Sequence, residues 1–334
     1  MARDNDIAEL VDRARSGQAR AVGRLLSLVE DGSPQLSELA RALAPLTGRA
    51  AVIGLTGSPG VGKSTTTSAL LTQLRGQGLR VGVLAIDPSS PFSGGALLGD
   101  RIRMTEHATD DGVFIRSMAT RGHLGGVAAA TSAALRVLDA AGCDVVLIET
   151  VGVGQSEVDV VSLADSTVVL LAPGMGDGVQ AAKAGILEVA DLFCVNKADR
   201  DGADQLVRDL KYMISLGRKD NPGESWRAPI VRTIASRAEG IAELCAAIED
   251  HRDWMRRHGE LARRRSRRAR REVEAITLAA LRADIDDLAA GDALAGLGDR
   301  VAAGELDPYS AAEELLAGLR NGQRAAGASV RDRR

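Results

Sequence analysis

Apolar positions between residues 4 and 47 recur every three or four residues. Ile7, Leu10, Val11 and Ala14 share one face, Leu25, Leu26, Leu28 and Val29 mark a second segment, and Leu36, Leu39, Leu43 and Leu46 a third, set off by Gly32-Ser33-Pro34. This spacing predicts a small helical preface. From residue 51 the pattern changes to short β-branched runs: AVIGLT, VGVLAID at 81–87, VFIRS at 113–117, DVVLIET at 144–150, TVVLLA at 167–172, LFCVN at 192–196 and PIVRTIA at 229–235. Continuous apolar runs that alternate with helical stretches predict an α/β fold whose mainly parallel sheet is covered on both faces. Residues 239 to about 292 read as helix, followed by a Gly/Asp-rich break, a last helical piece YSAAEELLAGLR, and a small, polar, basic tail expected to fray.

Composition narrows the class. With 334 residues, 45% hydrophobic and 26% charged, the chain can bury a substantial core. Lys plus Arg is 42 against Asp plus Glu 45, a net charge of −3, so there is no bulk electrostatic reason to bind nucleic acid or an anionic membrane. Lysine stands only at 63, 183, 197, 211 and 219. Cys143, Cys194 and Cys245 are far apart and form no CxxC, so neither a disulfide framework nor a cysteine-based zinc site is expected. The first residues lack the apolar core of a signal peptide, and no stretch reaches the length of a membrane span, which predicts a soluble, cytoplasmic protein.

The candidate chemistry starts at Gly57-Ser58-Pro59-Gly60-Val61-Gly62-Lys63-Ser64, followed by Thr65, a GxxxxGK[ST] phrase between a predicted strand and a predicted helix. In that context backbone N–H groups curl around phosphates, Lys63 reaches the β- and γ-oxygens, and the Ser64 hydroxyl can ligate Mg²⁺. Asn196-Lys197-Ala198-Asp199 closes a later strand in the NKxD form. A carboxylate at Asp199 can accept from both the ring N1–H and the exocyclic amine of guanine, a donor pair adenine lacks, so the phrase selects GTP and GDP over adenine nucleotides. Glu149 ends another strand with Gly152 three residues on, the arrangement in which an acid supports the Mg²⁺ shell and a glycine N–H touches the γ-phosphate. Asp87 ends the strand VGVLAI, where its carboxylate would lie beside the phosphates. Asp100 sits in the Gly-rich SGGALLGD and is either part of a segment closing over the nucleotide or a structural carboxylate or helix cap.

Read together and in order, GSPGVGKST, AIDPSSPFSGGALLGDRIRM, TRGHLGG, IETVGVGQSE and NKAD resemble the MeaB/ArgK family of P-loop GTPases, metallochaperones for adenosylcobalamin-dependent methylmalonyl-CoA mutase. The resemblance runs from about residue 50 to 250. It implies an N-terminal helical extension over 1–48, a P-loop GTPase domain over 49–250, and a C-terminal helical dimerisation region over 251–325, with 326–334 as tail. It also implies that Lys63 and Ser64 bind phosphate and Mg²⁺, that Asp87, Asp100 and Glu149 supply the metal shell, and that Asn196, Lys197 and Asp199 bind the base. Three mobile segments are implied, at about 87–104, 150–159 and 172–183. The chain departs from the family at the guanine loop, reading Ile234-Ala235-Ser236 where Ser-Ala-Leu is usual; Ala235 can offer its N–H to guanine O6, without the supporting Ser hydroxyl. The implied partners are a second copy of the chain and an acyl-CoA mutase. Methylmalonyl-CoA mutase is the leading client, with isobutyryl- or ethylmalonyl-CoA mutase as alternatives.

In Ras-like GTPases a Gln directly after the DxxG glycine orients the attacking water, whereas here Val153 follows Gly152 and Gln155 comes two residues later. Slow intrinsic hydrolysis is expected, with Lys63 at the phosphates and Gln155 or Lys183 brought to the γ-phosphate by the client. A nickel-delivery role is disfavoured because the four His, at 107, 123, 251 and 258, are scattered. A P-loop kinase acting on a transport protein is disfavoured by the guanine-reading NKAD. His123 could touch a partner or phosphate, or merely be solvated. The Arg263–Arg271 run could dock an acidic partner, but reads first as a solvated helix face.

Overall fold

A computed structural model describes residues 6–88, 105–107, 109–120, 126–150, 162–174, 190–217, 225–289 and 293–318. The preface folds as α1 (Ile7–Arg15), α2 (Ala19–Glu30) and α3 (Leu36–Leu43). Asp6 caps α1 by accepting from the Ala8 and Glu9 N–H groups at 2.9 and 3.3 Å. Then come β1 (Ala51–Thr56), α4 (Lys63–Gly76), β2 (Val81–Pro88), β3 (Val113–Thr120), α5 (Gly126–Ala140), β4 (Val145–Thr150), β5 (Ser166–Leu171), β6 (Leu192–Val195), α6 (Ala203–Gly217) and β7 (Ile230–Arg232). Three helices follow, α7 (Ile241–Arg257), α8 (Glu260–Ala289) and α9 (Ala293–Ala302), and a last one spans 308–318.

The seven strands form one sheet in the order β3-β2-β4-β1-β5-β6-β7, and every pairing is parallel. Side chains alternate across the pleat, so neighbours go to opposite cores. Val52, Val146 and Ile148 pack with α1–α3 and α5, whereas Ile53, Val145 and Leu147 pack with α4 and α7. A smaller cluster sets Val169, Phe193 and Val195 against Leu206, Val207 and Leu210 of α6. Both faces are therefore covered, which is what the unbroken apolar runs require. Since β1 lies between β4 and β5, its carboxyl end opens at a crevice where connections leave in opposite directions, the ligand position of open α/β sheets.

Contacts divide the chain into two compact units, Met1–Glu272 and Val273–Arg334. The preface shares the core of the first unit, and that unit ends at Glu272. The physical reason is a set of arginines in the first turns of α8. Arg264 grips the Asp191 carboxylate with two bonds of 2.7 and 2.8 Å, and Arg265 binds Asp165 at 2.8 Å together with the carbonyls of Gly48 and Ala50. Arg268 adds a bond to the Leu163 carbonyl. This corrects the reading of the Arg263–Arg271 run as a solvated face: Arg263, Arg267, Arg270 and Arg271 are exposed, but Arg264, Arg265 and Arg268, on one helical face, fasten α8 to the sheet.

The second unit brings a further correction. The stretch read as a Gly/Asp-rich break contains α9, where Leu294, Leu297 and Val301 at helical spacing outweigh Gly296 and Gly298. Val273, Ile276, Leu278 and Leu281 of α8 are exposed. No described helix is long and apolar enough to cross a membrane. The three cysteines are free and buried, and burial pushes their thiols up, Cys143 to about 12.

Candidate functional site at the carboxyl edge of the sheet

The chain leaves β1 at Thr56 and turns into α4 through a loop that needs glycine at two places. Gly57 has φ +143°, and a Cβ there would lie 2.3 Å from the Leu170 carbonyl oxygen; Gly62 has φ +96°, and its Cβ would lie 2.4 Å from Asn196 Nδ2. Lys63 opens α4, is buried, and donates from Nζ to the carbonyls of Gly57 and Ser58 at 2.5 and 3.1 Å. The ammonium is thus held inside the curl of the loop, where a phosphate oxygen is a stronger acceptor than a carbonyl. Ser64 Oγ donates to Glu149 Oε1 at 2.6 Å, and both residues are buried. The register pairs Leu55 with Glu149, so β1 and β4 deliver that contact to the mouth of the crevice. A hydroxyl and a carboxylate, both hard oxygen donors, fit a Mg²⁺ ion. At the ends of the same strands the Thr56 and Thr150 hydroxyls are buried without a hydrogen-bond partner, polar groups at the phosphate edge that sequence reasoning did not single out.

The second half of the site follows β6. Asn196 is buried; its Nδ2 donates to the Val61 carbonyl at 2.8 Å, and its Oδ1 accepts from Thr233 Oγ1 at 3.2 Å and from the Ala235 N–H at 3.1 Å. Asn196 therefore laces the phosphate loop to the loop after β7. The Ala235 N–H, expected at guanine O6, is engaged by Asn196, so a base would have to share or exchange that bond. Lys197 adopts φ 56°, uncommon for a residue with a side chain, and its Nζ donates to the Gly60 carbonyl at 2.6 Å. The Ala198 N–H donates to the Thr233 carbonyl at 3.1 Å, fixing the turn that carries Asp199 to the rim. There Arg237 Nη2 stands 3.6 Å from Asp199 Oδ2.

The structure thus brings together residues 57–65, Glu149, Asn196, Lys197, Asp199 and Ala235 on adjoining strand ends and loops. Asp100, Gly152, Gln155, Lys183 and His123 lie outside the described residues, and for Asp87 only the backbone is described, at the carboxyl end of β2. Thr233 and Arg237 were missed. Thr233 stands directly before the Ile234-Ala235-Ser236 departure, and Arg237 directly after it.

The family model for the methylmalonyl-CoA mutase-associated GTPase MeaB matches residues 22–288. A protein of Pyrococcus abyssi that carries a GTPase name is 47% identical over 310 residues, covering 93% of this chain and 96% of its own. The GTPase ArgK of Escherichia coli is 36% identical over 266 residues, 78% of this chain and 80% of its own. A mouse protein named methylmalonic aciduria type A homolog, mitochondrial, is 39% identical over 267 residues, 75% of this chain and 64% of its own. Among solved structures, one named LAO/AO transport system kinase superposes with a TM-score of 0.68 at 28% identity, covering 96% of this chain and 99% of its own.

Proposed function

We propose that this chain, which belongs to the MeaB family of methylmalonyl-CoA mutase-associated GTPases, is a GTP-hydrolysing chaperone that gates adenosylcobalamin loading and release in methylmalonyl-CoA mutase. GTP hydrolysis is the activity its relatives are named for, and the chain is a P-loop GTPase. The observation that supports the finer reading is the match of residues 22–288 to the methylmalonyl-CoA mutase-associated GTPase family; the nucleotide part of it is supported by Asn196, which ties the phosphate loop to the loop after β7.

In this reading residues 57–65 wrap the phosphates and Lys63 exchanges its carbonyl partners for phosphate oxygens. Ser64 and Glu149, with Asp87 and Asp100, would hold Mg²⁺, whose charge would offset that of the phosphates. Asp199 accepts from guanine N1–H and the exocyclic amine, and the Lys197 stem covers the base. In the sequence Val153, not Gln, follows Gly152, where Ras-like GTPases carry the water-orienting Gln, so hydrolysis in the isolated protein is slow, on the order of Ras without its activator or a few times faster. The client supplies the missing order by placing Lys183 or Gln155 at the γ-phosphate. The exposed Val273, Ile276, Leu278 and Leu281 suit a homodimer contact through the C-terminal helices.

The name of the superposed structure raises a kinase of a transport protein as a second reading. The NKAD turn favours the guanine-dependent one, and another acyl-CoA mutase as client remains the nearest alternative. The test measures GTP turnover with and without methylmalonyl-CoA mutase. The mutase should raise kcat at least several-fold, and Lys183→Ala should remove the stimulation while leaving GDP affinity nearly unchanged. Turnover at the activated rate without any mutase would overturn the gating mechanism; stimulation by a different acyl-CoA mutase alone would reassign the client.

A further inference from the structure

Arg237 Nη2 stands 3.6 Å from the base-reading carboxylate of Asp199, and the loop that carries it is rigidly set. Residues Ala235–Arg237 form a single 3₁₀ turn, Ala238 follows with φ 57°, and Ile234 pairs with Glu239, its N–H donating to the Glu239 carbonyl at 3.0 Å. Gly240 closes the turn with φ +76°, where a Cβ would lie 2.1 Å from the Arg232 carbonyl oxygen. Asp199 is anchored as firmly, since the Ala198 N–H is bonded to the Thr233 carbonyl. Two fixed backbones thus hold a long, exposed guanidinium between two acids: Nη2 lies 3.6 Å from Asp199 Oδ2 and Nη1 3.9 Å from Glu239 Oε1.

A guanidinium offers the same kind of planar paired N–H donors that guanine presents through N1 and its exocyclic amine. We propose that Arg237 competes with guanine for Asp199 and that Glu239 is the partner to which it withdraws when the base binds, so that the pair sets guanine-nucleotide affinity. The inference rests on the base-reading role of Asp199. On base binding, Asp199 exchanges Arg237 for the two guanine donors, and Arg237 keeps an acid partner, so no cation is left unpaired beside the ligand. Because the Arg237 side chain is 62% exposed, each contact is screened and weak, and the effects are modest.

The experiment measures GDP affinity by calorimetry for wild type, Arg237→Ala, Glu239→Gln and the double variant, with Asp199→Ala as reference. Removing the competitor should tighten GDP binding about two- to fivefold. Removing its alternative partner should weaken binding by a similar factor, and this loss should vanish in the Arg237→Ala background. If Arg237 merely added positive field for the phosphates, both signs would reverse: Arg237→Ala would weaken binding and Glu239→Gln would tighten it, which overturns the proposal. Unchanged affinity in both single variants overturns it as well. An Asp199→Ala variant that keeps its preference for GDP over ADP would instead remove the base-site reading itself, so the two failures are distinguishable.

Discussion

The two edges of the sheet use the same residue types to opposite ends. At the amino edge, Asp165 and Asp191 are nearly inaccessible and well paired: Asp165 holds Arg265, Arg268 and the Val52 N–H, and Asp191 holds Arg264 and the Thr167 N–H. At the carboxyl edge, Lys63 rests on two carbonyls, Ser64 on Glu149, and Asp199 on a loosely placed exposed arginine. A ligand can replace each of those partners with an equal or better one, whereas at the amino edge nothing can replace an arginine fork on a buried carboxylate. Exchangeable pairing marks the binding edge and buried arginine–carboxylate pairing marks the framework.

The sharpest way to break this contrast is to cut one pair on the framework side. Asp165→Ala leaves Arg265 and Arg268 without their acid and should cost about 3–5 kcal/mol in denaturant unfolding, with GDP affinity of the folded protein unchanged. A comparable loss of nucleotide affinity would mean that the two edges are coupled. At the binding edge Lys63→Ala removes a charged donor from replaceable partners, so GDP binding should weaken by about 1.5–3 kcal/mol while the unfolding midpoint of the nucleotide-free protein stays close to wild type. A large drop in that midpoint would place Lys63 with the framework.

The smallest expected effect is in pH dependence. His251 is fully buried, and burial lowers its pKa from the ordinary 6.5, helped by nearby Arg264 and opposed by Asp191 and Glu260. The unfolded chain therefore takes up a proton near pH 6.5 that the folded chain resists, and this contribution to stability is lost as pH falls through and below that value. Thermal denaturation between about pH 7.5 and 5.5 should show a shallower slope for His251→Gln than for wild type; identical slopes would contradict the assignment.

How far the sequence could be read follows the same division. That residues 57–64, Glu149 and the NKAD turn meet at one sheet edge was legible because they stand at fixed spacing after strands whose apolar runs are plain. The framework was not. Arg264 and Arg265 meet acids 73 and 100 residues away, and until the sheet order is known a basic helical run has no reason to be anything but solvated. Asn196 shows a subtler limit: its motif suggests base recognition, which is part of the proposed function, but its role in tying Val61 to Thr233 and Ala235 depends on two loops meeting across the sheet edge. The α9 helix was hidden because two glycines inside it read as a break.

The central claim, that the carboxyl edge is a guanine-reading nucleotide site organised around Asp199, is tested most directly by titrating GDP and ADP into wild type and Asp199→Ala. Wild type should bind GDP at least about tenfold more tightly than ADP, and the variant should lose the difference. Equal affinities of wild type for the two nucleotides would contradict it.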